Sequence, residues 1–170
     1  MKVPGRPRFT LVDHDGNDVT EASYPGCYLL VFFGFTNCAM VCPRALRRLT
    51  DVLDQLGADA DRIQPLYVTV DPARDTPEAL KSFLARTAPA FTGLTGTQEQ
   101  VDAARSAFHV FTQRRADPSA PGGYAMPHTA ITYLVAPDGE FAAHFGDAMP
   151  AAEVSTRIRR ILHDAEQVAR

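Results

Sequence analysis

The sequence predicts an α/β fold in which a central mixed sheet is flanked by helices and preceded by an N-terminal β-hairpin. Two apolar runs without polar alternation, residues 28–33 and 66–70, are typical of strands buried on both faces of a parallel sheet. Between them, leucines recur at helical spacing over residues 46–56. Strand, helix and strand together predict a βαβ unit, which places the first strand near the centre of the sheet.

The chain length fits one domain. Its 170 residues, 45% of them hydrophobic, can bury a sizeable core, and no second apolar pattern suggests another unit. We therefore expect residues 1–170 to form a single domain. The opening residues 1–8 are rich in proline, glycine and arginine and are interpreted as the remnant of a linker.

Turn residues predict the hairpin at the start of the chain. Residues 9–12 and 18–20 have strand character, and the polar residues 13–17 between them form the turn. After the first helix, residues 57–61 are a polar break before the second strand. The hairpin and the βαβ unit are thus separate parts of one sheet.

Capping patterns predict the next two helices. Thr76, Pro77 and Glu78 supply an N-cap, a proline at the first helical position and an early acid. Residues 97–100 have the form of a capping box and begin a short helix. The charged, proline- and glycine-containing residues 113–124 are interpreted as a mobile surface loop.

The last part of the chain predicts a second hairpin and a closing helix. Residues 129–135 and 140–145 are its strands, and 137–139 its turn. The closing helix is amphipathic, with Val154, Ile158, Ile161 and Leu162 on one face. The order βαβ, helix, hairpin, helix is the arrangement of a thioredoxin-like fold.

Two cysteines lie between the first strand and the first helix. Pro43 belongs in the first turn of that helix, so Cys42 falls near the N-cap, where free N–H groups and the helix dipole favour a thiolate. With Cys38, four residues earlier, it could close into a disulfide or share a soft metal such as Cu(I). The alternative is a pair of buried cysteines that pack as small hydrophobes. Cys27, at a strand entrance, is interpreted as a packing residue.

Two further residues are candidates for the same edge of the sheet. Asp71 directly follows the second strand, where ligand sites of open α/β sheets gather, although it could instead cap its turn or pair with Arg74. His128 precedes the hairpin strand, and in a thioredoxin-like topology that loop faces the cysteines. Two thiolates and one imidazole suit Cu(I), whereas zinc usually takes a fourth ligand. By itself, a histidine at a strand start is more often a surface or cap residue.

Composition excludes several functional classes. The net charge is −3 without a basic stripe, which argues against nucleic acid as a partner. Three cysteines are too few for a disulfide scaffold. No apolar run reaches the roughly 20 residues that cross a bilayer, and no signal peptide precedes the first strand. The sequence leaves open a cytoplasmic protein or one whose leader is missing.

Several spaced motifs resemble one family. They are Phe33-Gly34-Phe35-Thr36 leading into Cys38-x-x-x-Cys42-Pro43, Val70-Asp71-Pro72-x-Arg74-Asp75-Thr76-Pro77, Leu94-Thr95-Gly96-Thr97, and His128 eleven residues before Gly139. In this order and over nearly the full length, they are similar to the Sco (SenC/PrrC-like) family of copper-binding proteins that assist cytochrome c oxidase assembly.

The resemblance implies a function. It implies that Cys38, Cys42 and His128 bind one copper ion, as Cu(I) or Cu(II), with Asp71 near the site. It further implies delivery of copper to the binuclear CuA centre of cytochrome c oxidase subunit II. The expected location is the periplasmic or extracytoplasmic face of a membrane, with an N-terminal anchor absent here. Another periplasmic copper chaperone or a thiol reductase would be a second partner.

The motif departs from the family pattern and leaves alternatives open. Asn37 stands where the family usually has histidine, and Ala39-Met40 where it often has Pro-Asp, which removes a negative charge beside the site. The same dithiol could act as a thiol–disulfide reductase that keeps the CuA cysteines of subunit II reduced. Thioredoxin-type reductases carry two residues between their cysteines, whereas this chain carries three. A peroxidatic Cys42 is a third reading, but Phe35 and Ala39 replace the proline and threonine that it needs.

Overall fold

The predicted elements occur in the predicted order, together with three strands that the sequence analysis did not predict. The computed structural model describes residues 5–36, 41–119, 123–125 and 130–170, with the backbone alone at 41, 42 and 125. Within these ranges the strands are β1 (Thr10–Asp13), β2 (Asp18–Thr20), β3 (Tyr28–Gly34), β4 (Ile63–Thr69), β5 (Thr92–Thr95), β6 (Arg115–Ala116), β7 (Tyr124–Ala125), β8 (Ile131–Val135) and β9 (Phe141–Gly146). The helices are α1 (Val41–Leu56), α2 (Pro77–Thr87), α3 (Gln98–Ala107) and α4 (Ala151–Val168), with short 3₁₀ turns at Glu21–Ser23 and Gly57–Arg62.

The main sheet has seven strands in the order β2-β1-β5-β4-β3-β8-β9. The central strands β3, β4 and β5 run parallel, while β1 pairs antiparallel with β5 and β8 pairs antiparallel with β3. This confirms the mixed sheet, the N-terminal hairpin and the βαβ unit that the sequence predicts. The carboxyl ends of the parallel strands therefore share one edge, where β8 begins.

The second strand begins earlier than the apolar run over residues 66–70 indicates. Strand β4 starts at Ile63 and includes Pro65. Proline cannot donate to a ladder, so it is rare in the centre of a sheet. Here Pro65 lies opposite Leu30 of β3, whereas pairing with β5 starts only at Leu66, opposite Thr92. The proline thus lies before the point where β4 becomes a two-sided strand.

Strand β5 is absent from the sequence interpretation. It is four residues long and contains Gly93, which weakens any strand signal. A Cβ at Gly93 would lie 3.0 Å from the Leu80 side chain of α2, so glycine allows the helix to approach the sheet. Its strand conformation comes from pairing with β1 and β4, which short-range pattern does not reveal.

The predicted helix caps are confirmed. The hydroxyl of Thr76 accepts from the amide of Ala79 at 3.2 Å at the start of α2. At α3, the Thr97 hydroxyl accepts from the Gln100 amide at 3.1 Å, and the Gln100 side chain accepts from the Thr97 amide at 3.0 Å. These reciprocal bonds form the capping box.

The prediction of an irregular loop over residues 113–124 is wrong for its two ends. Arg115 pairs with Ala125 and Ala116 with Tyr124, so β6 and β7 form a two-stranded ladder. The amide of Asp117 continues it by donating to the carbonyl of Gly123 at 2.9 Å. Charged residues obscure this pairing in the sequence because both strands lie at the surface.

The sheet separates two apolar layers. Helices α1, α2 and α4 cover one face, where Leu46, Leu49, Leu80 and Ile158 are fully buried. On the other face, α3 and the N-terminal hairpin enclose a cluster of aromatic rings. Phe108 is at its centre, with ring centroids within 7 Å of those of Phe9, Phe33, Tyr133 and Phe141. Two layers hold the central strands, and with them the edge that carries the candidate site.

The first described residues lie against the second hairpin. The carbonyl of Gly5 accepts from the amide of Phe141 at 3.4 Å, and Arg6 lies 3.6 Å from a Glu140 carboxylate oxygen. Whether residues 1–8 continue a linker stays a prediction. Over the described ranges, no helix has the length and apolar content needed to cross a bilayer.

Candidate metal centre

The cysteine motif joins the centre of the sheet to α1. Strand β3 ends at Gly34 and α1 begins at Val41, so Cys42 is the second residue of the helix. This first-turn position keeps it at the positive end of the helix dipole, as the position of Pro43 predicts. Cys38 and the side chain of Cys42 lie outside the described residues.

Strand β8, which follows the histidine segment in the sequence, begins at the same edge. Strand β8 runs antiparallel to β3, and their register pairs Phe32 with Thr132 and Leu29 with Val135. The carboxyl end of β3 therefore lies beside the amino end of β8. His128, in the segment 126–129 before β8, lies outside the described residues, as do Met40 and Met126.

Asp71 follows β4 at this edge and is almost completely buried. It forms an ion pair with Arg74, three residues later, through the guanidinium Nε. The Tyr124 hydroxyl lies 3.1 Å from each carboxylate oxygen of Asp71. The Arg74 pairing considered from the sequence is thus present, and a tyrosine that the sequence analysis left unassigned joins it. The place of Asp71 beside the thiols stays a prediction.

A stack of cationic and aromatic groups surrounds that ion pair. The Arg74 and Arg114 guanidinium carbons each lie 3.8 Å from the centre of the Tyr124 ring. Two guanidinium groups at that distance cannot share one face, so the ring is held between them. Arg74 also lies 5.7 Å from the Phe35 ring, beside the cysteine segment. Burial raises the pKa of Tyr124, and the hydrogen bond to Asp71 raises it further.

Asp75 is the residue that sequence reasoning missed. Its side chain is fully buried, and its carboxylate accepts from the Thr36 amide at 3.1 Å, the Thr36 hydroxyl at 2.5 Å and the Thr69 hydroxyl at 2.6 Å. Its carbonyl accepts from the Thr95 hydroxyl at 2.8 Å. Burial raises the pKa of Asp75, although the hydrogen bonds from Thr36 and Thr69 act in the opposite direction. The signal available in the sequence was its place in the motif with Asp71.

The other candidate side chains have separate positions. The His14 imidazole accepts from the Gly93 amide at 3.0 Å, and His163 lies 3.4 Å from Asp59. Cys27 is a half-buried free thiol. Of the residues that the structure describes, no three histidine, cysteine or acidic side chains form a group that could hold a metal ion. The ligand set of Cys38, Cys42 and His128 stays a prediction.

Fold and motif define a thioredoxin-like protein with a dithiol motif at the carboxyl edge of its parallel strands. The family model described as SCO1/SenC matches residues 2–163, and the chain belongs to that family. The mitochondrial SCO1 homolog of Homo sapiens is 36% identical over 158 residues, which are 88% of this chain and 50% of that protein. The chain thus spans about half the length of that curated relative.

Solved structures of Sco proteins also match this chain. The copper-bound structure of Bradyrhizobium japonicum ScoI is 34% identical, has a TM-score of 0.82, and the match covers 93% of this chain and 99% of that one. BsSco is described as a member of the Sco family of cytochrome c oxidase assembly proteins with a disulfide switch. It is 26% identical with a TM-score of 0.73, covering 95% of this chain and 96% of that one. These matches confirm the thioredoxin-like fold and the resemblance to the Sco family.

Proposed function

We propose that this protein is a copper metallochaperone that binds one copper ion through Cys38, Cys42 and His128. The observation that supports the proposal is the antiparallel pairing of β3 with β8, since the strand that precedes the cysteine segment ends beside the start of the strand that follows the histidine segment. The donor set fits the metal, because two thiolates and an imidazole suit a low-coordinate Cu(I) ion. Copper in the ScoI structure supports the same conclusion.

Copper is the cargo in this proposal, and subunit II of cytochrome c oxidase is the recipient at its binuclear CuA centre. The description of BsSco as a member of a cytochrome c oxidase assembly family supports this partner. Handover would proceed by ligand exchange, in which incoming thiolates or imidazoles replace the donors of this chain one at a time. The proposal places the protein on the extracytoplasmic side of a membrane, where another copper chaperone would load it.

A second function is favoured by the position of Cys42 in the first turn of α1. A thiolate there can attack a disulfide of subunit II, and Cys38 can then displace the mixed disulfide. Two thiols of this chain become a disulfide while the partner's disulfide becomes two thiols, with two electrons transferred. A thiol reductase would return this chain to its dithiol form. The disulfide switch of BsSco supports this alternative.

A copper titration tests the first function. The fully reduced protein is titrated under argon against a chromogenic Cu(I) chelator, with Cys38→Ala and Cys42→Ala in parallel. We expect one copper ion per wild-type chain and loss of tight binding in both variants. Cys27→Ala and His144→Ala are matched controls, because each removes the same kind of side chain elsewhere, and both should bind normally. Wild-type protein that leaves all copper with the chelator would refute the metallochaperone.

The third ligand is tested by comparing oxidation states. His128→Ala should weaken Cu(II) more than Cu(I), because imidazole suits Cu(II) and thiolates suit Cu(I). An equal loss for both ions would contradict the assignment of His128. If copper fails to bind at all, the oxidised CuA domain of subunit II serves as substrate. Formation of its free thiols by the copper-free dithiol would then establish the reductase.

A further inference from the structure

We propose that Asp75 is a positioning residue that sets the redox equilibrium of the Cys38–Cys42 pair by fixing Thr36 at the entrance to the cysteine segment. Thr36 is the last described residue before that segment. It donates both its amide and its hydroxyl to the Asp75 carboxylate. The inference rests on the proposed function in one respect only, namely that the two cysteines act as a pair.

The contacts of Asp75 gather the ends of three neighbouring strands. Thr36 lies two residues after β3, Thr69 is the last residue of β4, and Thr95 is the last residue of β5. All three donate hydrogen bonds to Asp75, the first two to its side chain and the third to its carbonyl. One residue therefore links the chain leaving β3 to the ends of β4, its neighbour, and of β5, the next strand along.

A buried carboxylate is a costly way to hold a loop. Desolvation opposes its charge, and burial raises the pKa of Asp75 accordingly. Apolar side chains of similar volume often hold a buried position as well or better. What the carboxylate adds is direction: hydrogen bonds to a charged acceptor are short and oriented, and two of them fix one residue, Thr36. These two hydrogen bonds therefore fix the position of Thr36, the residue after which the cysteine segment begins in the sequence.

The consequence for the dithiol follows from chain entropy. Cys42 is held in α1, so closing the disulfide requires Cys38 to be brought to it from the Thr36 side. A fixed entrance reduces the number of conformations that closure must exclude. The Thr36–Asp75 contact should therefore favour the disulfide, and loosening it should shift the equilibrium toward the dithiol.

The test measures the equilibrium between dithiol and disulfide in a dithiothreitol redox buffer, without copper, in a Cys27→Ala background that removes the third thiol. Thr36→Val removes the hydroxyl donor, and we expect a shift of threefold or more toward the dithiol. Asp75→Asn should shift it further, about tenfold, which corresponds to roughly 30 mV for a two-electron couple. Because Asp75→Asn can fail to fold, the proposal is decided on the threonine variants.

Two controls separate positioning from stability. Thr36→Ser keeps the hydroxyl and should retain the wild-type equilibrium. Thr69→Val removes a hydrogen bond to the same carboxylate from the strand side, and it should lower stability without moving the equilibrium. If Thr36→Val and Thr69→Val shift the equilibrium equally, or neither shifts it, Asp75 is only a structural residue. Since no copper is present, failure of the copper titration leaves this result unchanged, and the reverse also holds.

Discussion

Two aspartates, four residues apart in the loop between β4 and α2, both have buried carboxylates, but different kinds of partner stabilise them. Asp71 has a cation as its partner: the Arg74 guanidinium, with the Tyr124 hydroxyl beside it. Asp75 has hydroxyl and amide donors from Thr36 and Thr69. In the described part of the chain, the ion pairs include Asp71 and do not include Asp75. A buried carboxylate can thus be stabilised by an opposite charge or by oriented dipoles alone.

The difference teaches which side of the site each aspartate controls. Asp75 acts on backbone that leads into the cysteine segment, because Thr36 precedes residues 37–40. Asp71 acts on the tyrosine of β7, which leads toward the segment 126–129. The same loop therefore holds one chain segment through Asp75, which is fully buried, and the other through Asp71, which is slightly exposed. The two contacts can be broken separately.

Removing the Asp75 carboxylate should give the largest effect. Asp75→Ala leaves the Thr36 amide and the hydroxyls of Thr36 and Thr69 without their acceptor inside the protein. We expect the free energy of unfolding to fall by about 3 kcal/mol, since each buried unpaired donor is costly. Urea unfolding monitored by circular dichroism measures it. A loss below about 1 kcal/mol would show that water replaces the carboxylate without strain.

Removing the cation beside Asp71 should come next. Among the described residues, Arg74→Met leaves the Tyr124 hydroxyl as the side-chain partner of a nearly buried carboxylate, and we expect a loss of about 2 kcal/mol. Arg114→Met is the matched control, because its guanidinium stacks on the same ring but is exposed. That variant should lose about 0.5 kcal/mol in the same urea assay. Equal losses would mean that stacking, and not the charge on Asp71, is what Arg74 contributes.

The contribution of Asp75 to stability should decrease as the pH rises, which is the opposite of what an aspartate with a lowered pKa contributes. Burial raises its pKa above the unfolded value of 3.8. Its contribution is therefore fully present below that pH and is lost as the pH rises through the folded pKa. The stability of wild type relative to Asp75→Asn should decline from about pH 4 upward.

Urea unfolding of both proteins at several pH values provides the measurement. The quantity to compare is the difference in unfolding free energy between the two proteins at each pH. Asp15 affects both proteins in the opposite direction, because its hydrogen bond with Lys81 lowers its pKa, and the difference removes this effect. A difference that grows with pH would overturn the assignment of a raised pKa to Asp75.

The smallest effect is expected where only one hydroxyl is lost. Tyr124→Phe keeps the ring between the two guanidinium groups and removes its hydrogen bonds to Asp71. We expect a loss of about 1 kcal/mol or less, since Arg74 still neutralises the carboxylate. The dithiol equilibrium should stay at its wild-type value, because the contact lies on the histidine side. A shift as large as that of Thr36→Val would show that the two contacts are coupled.

Much of the fold was predictable because its signals are local. The apolar run of β3, the cap at Thr76 and the capping box at Thr97 each need only a few consecutive residues. Strand β5 was not predictable in this way, because glycine and threonine form a strand there only through their neighbours β1 and β4. The β6–β7 ladder was missed for the same reason.

The residues of the candidate site also differ in whether local sequence signals predict them. Cys38, Cys42 and Asp71 could be selected from spacing and from their place after strands. Asp75 could not, because a carboxylate's role depends on which donors face it, and Thr36 comes from a distant part of the chain. Tyr124 lay within a segment interpreted as a loop, so its bond to Asp71 was equally hidden. Long-range hydrogen bonds are the information that a single sequence lacks.

The pairing of β3 with β8 also determines when the main sheet can be completed during synthesis of the chain. Leu29 leaves the ribosome long before its partner Val135, so β4 is available to pair with β3 before β8 is. Until β8 arrives, one side of β3 is an open edge that can pair with other chains. A nascent chain that is released early would be a target for chaperones or proteases.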